Sequence, residues 1–371
     1  FLQGEMIEVG EGAYPVFFDH NADGLLDMII GNYGYWVGGG NYGGKLSLYL
    51  NIGTITQPAF QLDTRDYQGV SSYGLNAIYP AFGDLDNDGD TDMLLGDYDG
   101  LLHYFENTAG AGNPADFLLS QANYMGIDVG QFAAPQLIDA NRDGHLDLVI
   151  GERGGRIKYF HNKATGPVAS FSSASTSDYL GGIDVMPNCC TGYNVPFMTS
   201  IDSTGDYYLF VGSEKGVIQL YGNIENNLTG NFTPVDTAIS GLDFGERSSV
   251  SGADINNDGV LELLVGNYRG GLSVLSLTGS AVIGIESNIV EKFKVTVYPT
   301  PSSNKLYLEI TNRESVQIKQ VRIYDRLGRV VMEKSAPDIR SIEISPLKPG
   351  IYFARAILSN KMVQTFKIIR S

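Results

Sequence analysis

The sequence predicts an all-β protein with two domains, a β-propeller over residues 1–283 and a small Ig-like β-sandwich over residues 284–371. An acidic loop recurs four times, each time ahead of a short apolar strand that ends in glycine. The composition changes after residue 277, which marks the second domain. The repeat therefore predicts the propeller, and the change in composition predicts the boundary. The closing glycine itself recurs five times, as Gly31, Gly96, Gly151, Gly212 and Gly266.

Each acidic loop has nine residues, with oxygen-bearing side chains at positions 1, 3, 5 and 9 and glycine at position 6. A hard cation such as calcium requires this pattern, because alternate oxygen ligands converge on one point and glycine permits the sharp turn. Four copies at equivalent places favour about four structural calcium sites over ordinary acidic turns. The predicted ligands are Asp19, Asn21, Asp23 and Asp27; Asp84, Asp86, Asp88 and Asp92; Asp139, Asn141, Asp143 and Asp147; and Asp254, Asn256, Asp258 and Glu262.

A fifth copy of the repeat has a degenerate loop over residues 200–208. It retains the carboxylate of Asp202, but Tyr208 stands where the closing acid is expected. We interpret it as a unit that has lost its metal.

Within a unit, apolar and aromatic alternation between Gly, Asn and Asp residues predicts four short antiparallel strands. The second strand is the apolar run after the acidic loop, and the third includes segments such as residues 100–107. No segment before residue 283 has a sustained helical period. Four strands in a period of this length are typical of a propeller blade. The fourth strands are expected to begin near Phe60, Phe117, Phe171 and Phe232.

These loops, followed by two or three apolar residues and glycine, resemble the FG-GAP/VCBS repeats of calcium-binding β-propellers over roughly residues 1–280. The resemblance implies that each acidic loop joins the first two strands of a blade and holds calcium. Five blades are visible. Residues 1–10 look like the end of a unit, so they either complete the fifth blade or follow missing blades of a six- or seven-bladed ring. We favour missing blades, which would make the propeller of residues 1–283 N-terminally incomplete. The degenerate loop and Glu262 depart from the family pattern.

Residues 285–371 carry 15 Lys/Arg against 8 Asp/Glu, whereas the whole chain has a net charge of −17. Their short strands predict a small β-sandwich. The segments 297–303, 323–329, 347–352 and 367–370 closely resemble the type A C-terminal sorting domain of the type IX secretion system of Bacteroidota. The family usually has Asn where Thr300 stands. The resemblance implies that the secretion machinery is a partner and that the protein is secreted or attached to the outer cell surface.

Composition excludes two function classes. The propeller has no basic stripe, which argues against nucleic-acid binding. No apolar run approaches the roughly 20 residues that a membrane-spanning helix needs. The two cysteines, Cys189 and Cys190, are adjacent, and either a vicinal disulfide or free thiols fit the sequence.

In such propellers the loops joining strands two and three are expected on the face opposite the calcium loops. Aromatic side chains beside Arg and carboxylates on that face suit sugar stacking or a protein-binding hot spot. The alternative is that these rings only cover blade edges. The candidate ligand-binding residues are Tyr33, Tyr35, Trp36, Tyr42, Tyr98, Arg153, Tyr193, Tyr268 and Arg269.

We expect a non-enzymatic, adhesin-like module that binds glycan or protein, because no recognised catalytic motif is present. Two alternatives remain open. The chain is either the non-catalytic C-terminal part of a larger secreted enzyme, or an enzyme that degrades polysaccharides with the face opposite the calcium loops.

Overall fold

The computed structural model describes residues 9–39, 41–186, 191–201, 204–277, 295–299, 301–310, 317–324, 329–359 and 363–370. The chain divides into two compact units, Phe1–Gly284 and Ile285–Ser371, which are described separately. The prediction of an all-β protein is confirmed, since the described helical segments of the first unit are four short 3-10 turns. None of the helical segments in the described ranges is long and apolar enough to cross a bilayer.

The first unit contains five small antiparallel sheets, numbered 1 to 5 along the chain. Sheet 1 has β1 (Tyr14–Phe18), β2 (Asp27–Gly31), β5 (Leu46–Asn51) and β6 (Phe60–Thr64), with the separate hairpin β3 (Tyr35–Gly38) and β4 (Asn41–Gly43). Sheet 2 has β7 (Tyr79–Gly83), β8 (Asp92–Gly96), β9 (Leu102–Asn107) and β10 (Phe117–Gln121). Sheet 3 has β11 (Ala134–Ile138), β12 (Asp147–Gly151) and β13 (Ile157–Phe160). Sheet 4 has β14 (Val195–Ser200), β15 (Tyr207–Gly212), β16 (Gln219–Gly222) and β17 (Thr233–Asp236), and sheet 5 has β18 (Ser249–Ala253), β19 (Glu262–Gly266) and β20 (Leu272–Ser276). The 3-10 turns are Tyr67–Tyr73, Tyr124–Gly126, Leu180–Gly182 and Ile239–Gly241.

The expected fourth strand near Phe171 is wrong. Residues 163–179 form no strand, and their backbone pairs with β13 at an isolated bridge between Tyr159 and Ser177. Hydroxyl groups in this Ser/Thr-rich segment bond to nearby backbone: Ser172 Oγ accepts the Ala174 N–H and Ser177 Oγ accepts the Tyr179 N–H, each at 3.2 Å. Such local bonds compete with a regular strand ladder. The strand expected to complete sheet 5 from residues 1–8 lies outside the described residues.

The first strands of the five sheets contact one another in a cycle, β1 with β7, β7 with β11, β11 with β14, β14 with β18, and β18 with β1. Four of them have proline at their second residue, which removes an N–H from an edge that pairs on one side only. These strands line a cavity of about 320 Å³.

The same pair of backbone hydrogen bonds joins each sheet to the next. Ahead of β7, the N–H groups of Ala77 and Ile78 donate to the carbonyl oxygens of Tyr33 and Asn32 at 3.0 and 2.8 Å. Ahead of β1, those of Gly12 and Ala13 donate to Tyr268 and Asn267 at 2.6 and 3.0 Å. Sheet 5 is therefore linked to sheet 1 as the other neighbours are linked.

The closing glycines are required by the close approach of the next sheet. A Cβ added at Gly96 would lie 2.1 Å from the carbonyl oxygen of Ala133, and one at Gly266 would lie 2.0 Å from that of Ala13. The other three closing glycines face the next sheet equally closely. Any side chain here would force neighbouring sheets apart.

The core lies between neighbouring sheets, and the second strand of each sheet supplies both sides. In β2, Ile29 belongs to a cluster shared with sheet 2, whereas Met28 and Ile30 belong to one shared with sheet 5. Side chains alternate along a strand, so a strand buried on both faces needs a continuous apolar run. This is why three apolar residues precede each closing glycine.

The second unit has two antiparallel sheets on a shared core. One contains β21 (Val295–Tyr298), β22 (Lys305–Ile310) and β25 (Ser341–Glu343). The other contains β23 (Ile318–Tyr324), β24 (Val330–Ser335), β26 (Gly350–Leu358) and β27 (Val363–Arg370). Leu306, Leu308 and Ile342 of the first sheet pack against Val321, Ile323 and Ile368 of the second.

Candidate functional site

The four acidic loops connect the first two strands of sheets 1, 2, 3 and 5. Each loop is folded by its own carboxylates. Asp19 accepts the N–H groups of Asp23 and Gly24 at 3.2 and 2.9 Å, and Asp139 accepts those of Asp143 and Gly144 at 2.9 Å each. The glycine at position 6 has a left-handed φ between +81° and +93° in all four loops, which explains the residue type.

In the second loop, positions 1, 3 and 5 are all aspartate. Carboxylate oxygens of Asp84, Asp86 and Asp88 are all within 4.8 Å of one another. Burial and the neighbouring charges of Asp88 and Asp84 raise the pKa of Asp86. In the first loop the amide of Asn21 relieves this repulsion by donating to Asp23 at 2.9 Å.

The position-9 carboxylate points towards the strands. Asp27 accepts the N–H of His20 at 3.0 Å and that of Asn51, at the end of β5, at 2.7 Å. Asp92 does the same with Leu85 and Asn107, and burial raises its pKa to about 6. The position-9 carboxylate thus bonds the loop to the end of the third strand, a role that the sequence did not predict.

Asp202 of the degenerate loop lies outside the described residues. An arginine from another loop lies beside the described part of the degenerate loop. Arg142, from the third acidic loop, donates to the carbonyl oxygen of Gly205 at 2.5 Å and to Glu225 at 2.9 Å. Its guanidinium lies 3.6 Å from the centre of the Tyr207 ring. A protein cation therefore sits beside the one loop that lacks the acidic pattern.

Aromatic side chains gather around the links between sheets. We call Tyr33, Tyr42, Tyr98, Phe132, Tyr193, Tyr268 and Arg247 the aromatic cluster. The ring centres of Phe132 lie 4.8 Å from Tyr98, 4.6 Å from Tyr193 and 6.1 Å from Tyr33. Tyr33 also approaches Tyr268 at 6.0 Å and Tyr42 at 5.0 Å. The cluster joins residues of all five sheets or their connecting segments.

Arg247 lies over two rings of the cluster, 3.9 Å from the centre of Tyr193 and 4.5 Å from that of Tyr268. It pairs with Glu214 at 3.4 Å. Although burial opposes it, the surrounding hydroxyl groups and Glu214 raise the pKa of Arg247. The guanidinium is therefore a fixed positive charge.

Glu11 connects two tyrosines of the cluster. Its carboxylate accepts the hydroxyl of Tyr42 at 2.9 Å and that of Tyr268 at 3.0 Å. Burial, followed by the contact with Glu11, raises the pKa of Tyr268 to about 12.

Trp36 lies at the edge of the cluster, on the hairpin formed by β3 and β4. Its side chain is 61% exposed, and the adjacent Val37 is 67% exposed. The indole contacts Tyr42 edge to face, with ring centres 5.3 Å apart. The indole of Trp36 is therefore in contact with Tyr42 on one side, and most of its surface is exposed to solvent.

The five links between sheets share a strained backbone position, two residues before each first strand. Its φ is left-handed in every case, at Gly12 (+74°), Ala77 (+48°), Phe132 (+59°), Tyr193 (+44°) and Arg247 (+52°). Glycine adopts this conformation without penalty, whereas bulky residues do so at a cost. Three large side chains are nevertheless placed there, all in the aromatic cluster.

The structure thus brings together Tyr33, Trp36, Tyr42, Tyr98, Tyr193 and Tyr268, although Tyr193 is buried beneath its neighbours. Arg153 lies 5.9 Å from the Tyr193 ring, Tyr35 lies under Lys45, and Arg269 is exposed on the turn after β19. Cys189 and Cys190 lie outside the described residues. The sequence did not predict Glu11, Phe132 and Arg247 as part of this region. For Phe132 and Arg247 the available signal was the position two residues before the first strand of a sheet.

Residues 296–371 match the family model of the secretion system C-terminal sorting domain. No curated protein matches the chain. The chain is similar, at 12% identity and a TM-score of 0.34, to the extracellular domain of a hybrid two-component system from B. thetaiotaomicron, covering 96% of this chain and 44% of that one. A lectin from Burkholderia pseudomallei is 12% identical with a TM-score of 0.37, covering 98% of this chain and 97% of that one. The catalytic domain of a Coprinopsis cinerea GH62 α-L-arabinofuranosidase is 17% identical with a TM-score of 0.35, covering 66% of this chain and 87% of that one.

The sorting domain confirms the predicted location. The protein is exported by the type IX secretion system and is secreted or held on the outer cell surface. The domain implies an interaction with the secretion machinery.

Proposed function

We propose that the first unit is a five-bladed, calcium-stabilised β-propeller that binds a glycan through Trp36 and the adjoining aromatic cluster, without a catalytic role. Its export places the propeller where extracellular and cell-surface polysaccharides are available.

The cyclic contacts support five blades over six or seven. The bonds from Gly12 and Ala13 to Tyr268 and Asn267, and the packing of Gly266 on Ala13, repeat the geometry of the other four links. A sixth blade would have to separate these pairs. Five repeats of one geometry are what a closed ring requires.

The donor set of the acidic loops fits a hard cation. Each loop offers carboxylate or amide oxygens at positions 1, 3 and 5. The position-5 aspartates are exposed, and the residues at positions 1 and 3 are partly buried, except for the exposed Asp254. Position 9 ends each loop with a further carboxylate, which in Asp27 and Asp92 also accepts backbone N–H groups. Oxygen-only ligands arranged in a flexible loop suit calcium better than a transition metal. The cation would offset the repulsion among Asp84, Asp86 and Asp88, and the resulting function is structural.

The exposed indole of Trp36 carries the binding proposal. Exposure of a large aromatic ring such as that of Trp36 to water is unfavourable. The contact with Tyr42 fixes the orientation of the indole. Flat aromatic surfaces beside hydroxyl and carboxylate groups suit stacking against sugar rings combined with hydrogen bonds to their hydroxyls. Tyr42 supplies a hydroxyl next to Trp36, and its hydrogen bond to Glu11 connects it to the hydroxyl of Tyr268.

The test is binding of the full chain to a panel of immobilised polysaccharides, compared with Trp36→Ala. Ile55→Ala is the control, because Ile55 is 52% exposed but lies outside the aromatic cluster. We expect Trp36→Ala to weaken binding roughly tenfold or more, as for a stacking hot spot. If no polysaccharide binds and a protein partner is captured through Trp36, the glycan assignment is wrong. Release of sugar fragments by the wild type would overturn the non-catalytic assignment.

A further inference from the structure

The second acidic loop contains a carboxylate that the other three lack. Position 7 is Asp90 here, whereas Leu25, His145 and Val260 occupy it elsewhere. Asp90 is only 7% exposed. One of its oxygens accepts the N–H of Gly110 at 2.9 Å, and the other has no hydrogen-bond partner among the described residues.

A buried carboxylate oxygen without a donor is costly, because it has lost water and gained nothing in exchange. Asp88 lies next to this carboxylate in the loop, and its Oδ1 accepts the backbone N–H of Asp90 at 3.0 Å. A cation between Asp88 and Asp90 would satisfy the free oxygen.

An ion held by the first three aspartates of this loop would leave the free oxygen of Asp90 unsatisfied. Asp84, Asp86 and Asp88 form one cluster of oxygens within 4.8 Å, and Asp90 is not a member of it. Asp88 therefore belongs to this cluster and also lies next to Asp90. A carboxylate shared by two metal ions about 3.5–4 Å apart is a common arrangement in two-metal sites.

We propose that the second acidic loop holds two hard divalent cations of the calcium class, with Asp88 as their shared ligand. Asp84, Asp86 and Asp88 bind the first, and Asp88 and Asp90 bind the second. The proposal rests on the calcium function proposed above for this loop.

The second site is the weaker one. It offers two carboxylates, and water completes the six to eight oxygen ligands that calcium takes. Such sites fall in the dissociation range of roughly 10⁻⁴–10⁻³ M that extracellular modules use. The Gly110 N–H holds one oxygen of Asp90, so the segment after β9 closes over the site and orients its free oxygen.

The experiment counts calcium ions bound to the full chain by equilibrium dialysis, at calcium concentrations from micromolar to several millimolar. Asp90→Asn retains an oxygen for the Gly110 N–H but removes the charge, so the fold is preserved. Asp116→Asn is the matched control, since it removes an exposed carboxylate from the same connection between β9 and β10. We expect Asp90→Asn to lose one ion, the weakest, Asp88→Asn to lose two, and Asp116→Asn to lose none.

Equal stoichiometry and affinity in the wild type and Asp90→Asn would overturn the second site and assign a shared proton to Asp88 and Asp90. The loss of a single ion in Asp88→Asn would overturn it as well. Asp139→Asn separates this failure from failure of the calcium function as a whole. Asp139→Asn should lose one ion from the third loop in either case. Only an absence of bound calcium in the wild type would overturn both the second cation and the proposed calcium function.

Discussion

Arg142 and Glu225 form an ion pair 2.9 Å long between the third acidic loop and the connection after β16. The pair lies beside the loop in which the metal-binding pattern is lost. Glu225 also accepts the N–H of Tyr207 at 3.0 Å, and the guanidinium stacks on the Tyr207 ring. The guanidinium of Arg142 thus links Glu225 and Tyr207 at the place where the other sheets are predicted to bind calcium.

Arg142→Ala should destabilise the first unit by about 1 kcal/mol, because a partly exposed ion pair and a cation–π contact each contribute less than about 1 kcal/mol. Urea unfolding measures this loss. We expect the same loss with calcium and with chelator, since the contact is internal to the protein. A loss that appears only with calcium would show that Arg142 acts through the third loop instead.

Chelation should lower the melting temperature of the first unit. A cation bound only by the folded state stabilises it by about 2.7 kcal/mol at a hundredfold excess over its Kd. For a domain of this size that corresponds to roughly 5–10 °C for each site lost. Asp88→Ala should reproduce part of this shift in melting temperature. Thr204→Ala, in the degenerate loop, should leave the shift caused by chelation unchanged. Calorimetry that shows no dependence on calcium would contradict the structural role of the cation.

Gly266→Ala tests whether the ring is closed. The added Cβ would meet the carbonyl oxygen of Ala13 at 2.0 Å, so the substitution should cost several kcal/mol, as overpacking of a rigid contact does. Gly96→Ala, between sheets 2 and 3, should cost a similar amount. Gly166→Ala is the control, because nothing lies within 4 Å of its added Cβ. A mild effect at Gly266 alone would mean that sheets 1 and 5 are not in contact.

Arg247→Gly should separate stability from binding. Relief of the left-handed backbone gains roughly 1 kcal/mol, which about offsets the lost stacking on Tyr193 and Tyr268. We therefore expect an almost unchanged unfolding free energy together with weaker glycan binding. Arg247→Ala keeps the strain and loses the contacts, so it should be the less stable variant. If Arg247→Gly binds as the wild type does, the cluster only covers the sheet edges.

The aromatic cluster should lose stability at alkaline pH. The pKa of Tyr268 is raised from 10.0 to about 12, so the folded state retains its proton where the unfolded chain releases it. The contribution is complete below pH 10 and is lost as the pH rises from 10 to 12. Urea unfolding between pH 9 and 11.5 should show a shallower decline in Tyr268→Phe than in the wild type. The exposed Tyr73, changed to Phe, is the control.

Several features could be predicted because their causes are local. The acidic loops are set by short side chains that bond to their own backbone, as Asp19 does with Gly24. The apolar runs of the second strands follow from burial on both faces. The absence of a fourth strand near Phe171 was not predicted from the apolar pattern, since hydroxyl groups of the following residues bond to the local backbone there.

The sequence by itself determined that this chain repeats a β-sheet unit, carries acidic loops at equivalent places and ends in an export domain. Only the tertiary structure decided that Phe132, Tyr193 and Arg247 meet in one cluster, and that Arg142 reaches Glu225. The physical reason is that repeated units bend the chain into a cycle. Residues more than fifty positions apart then occupy the same end of neighbouring sheets, and no local pattern records which of their side chains will touch.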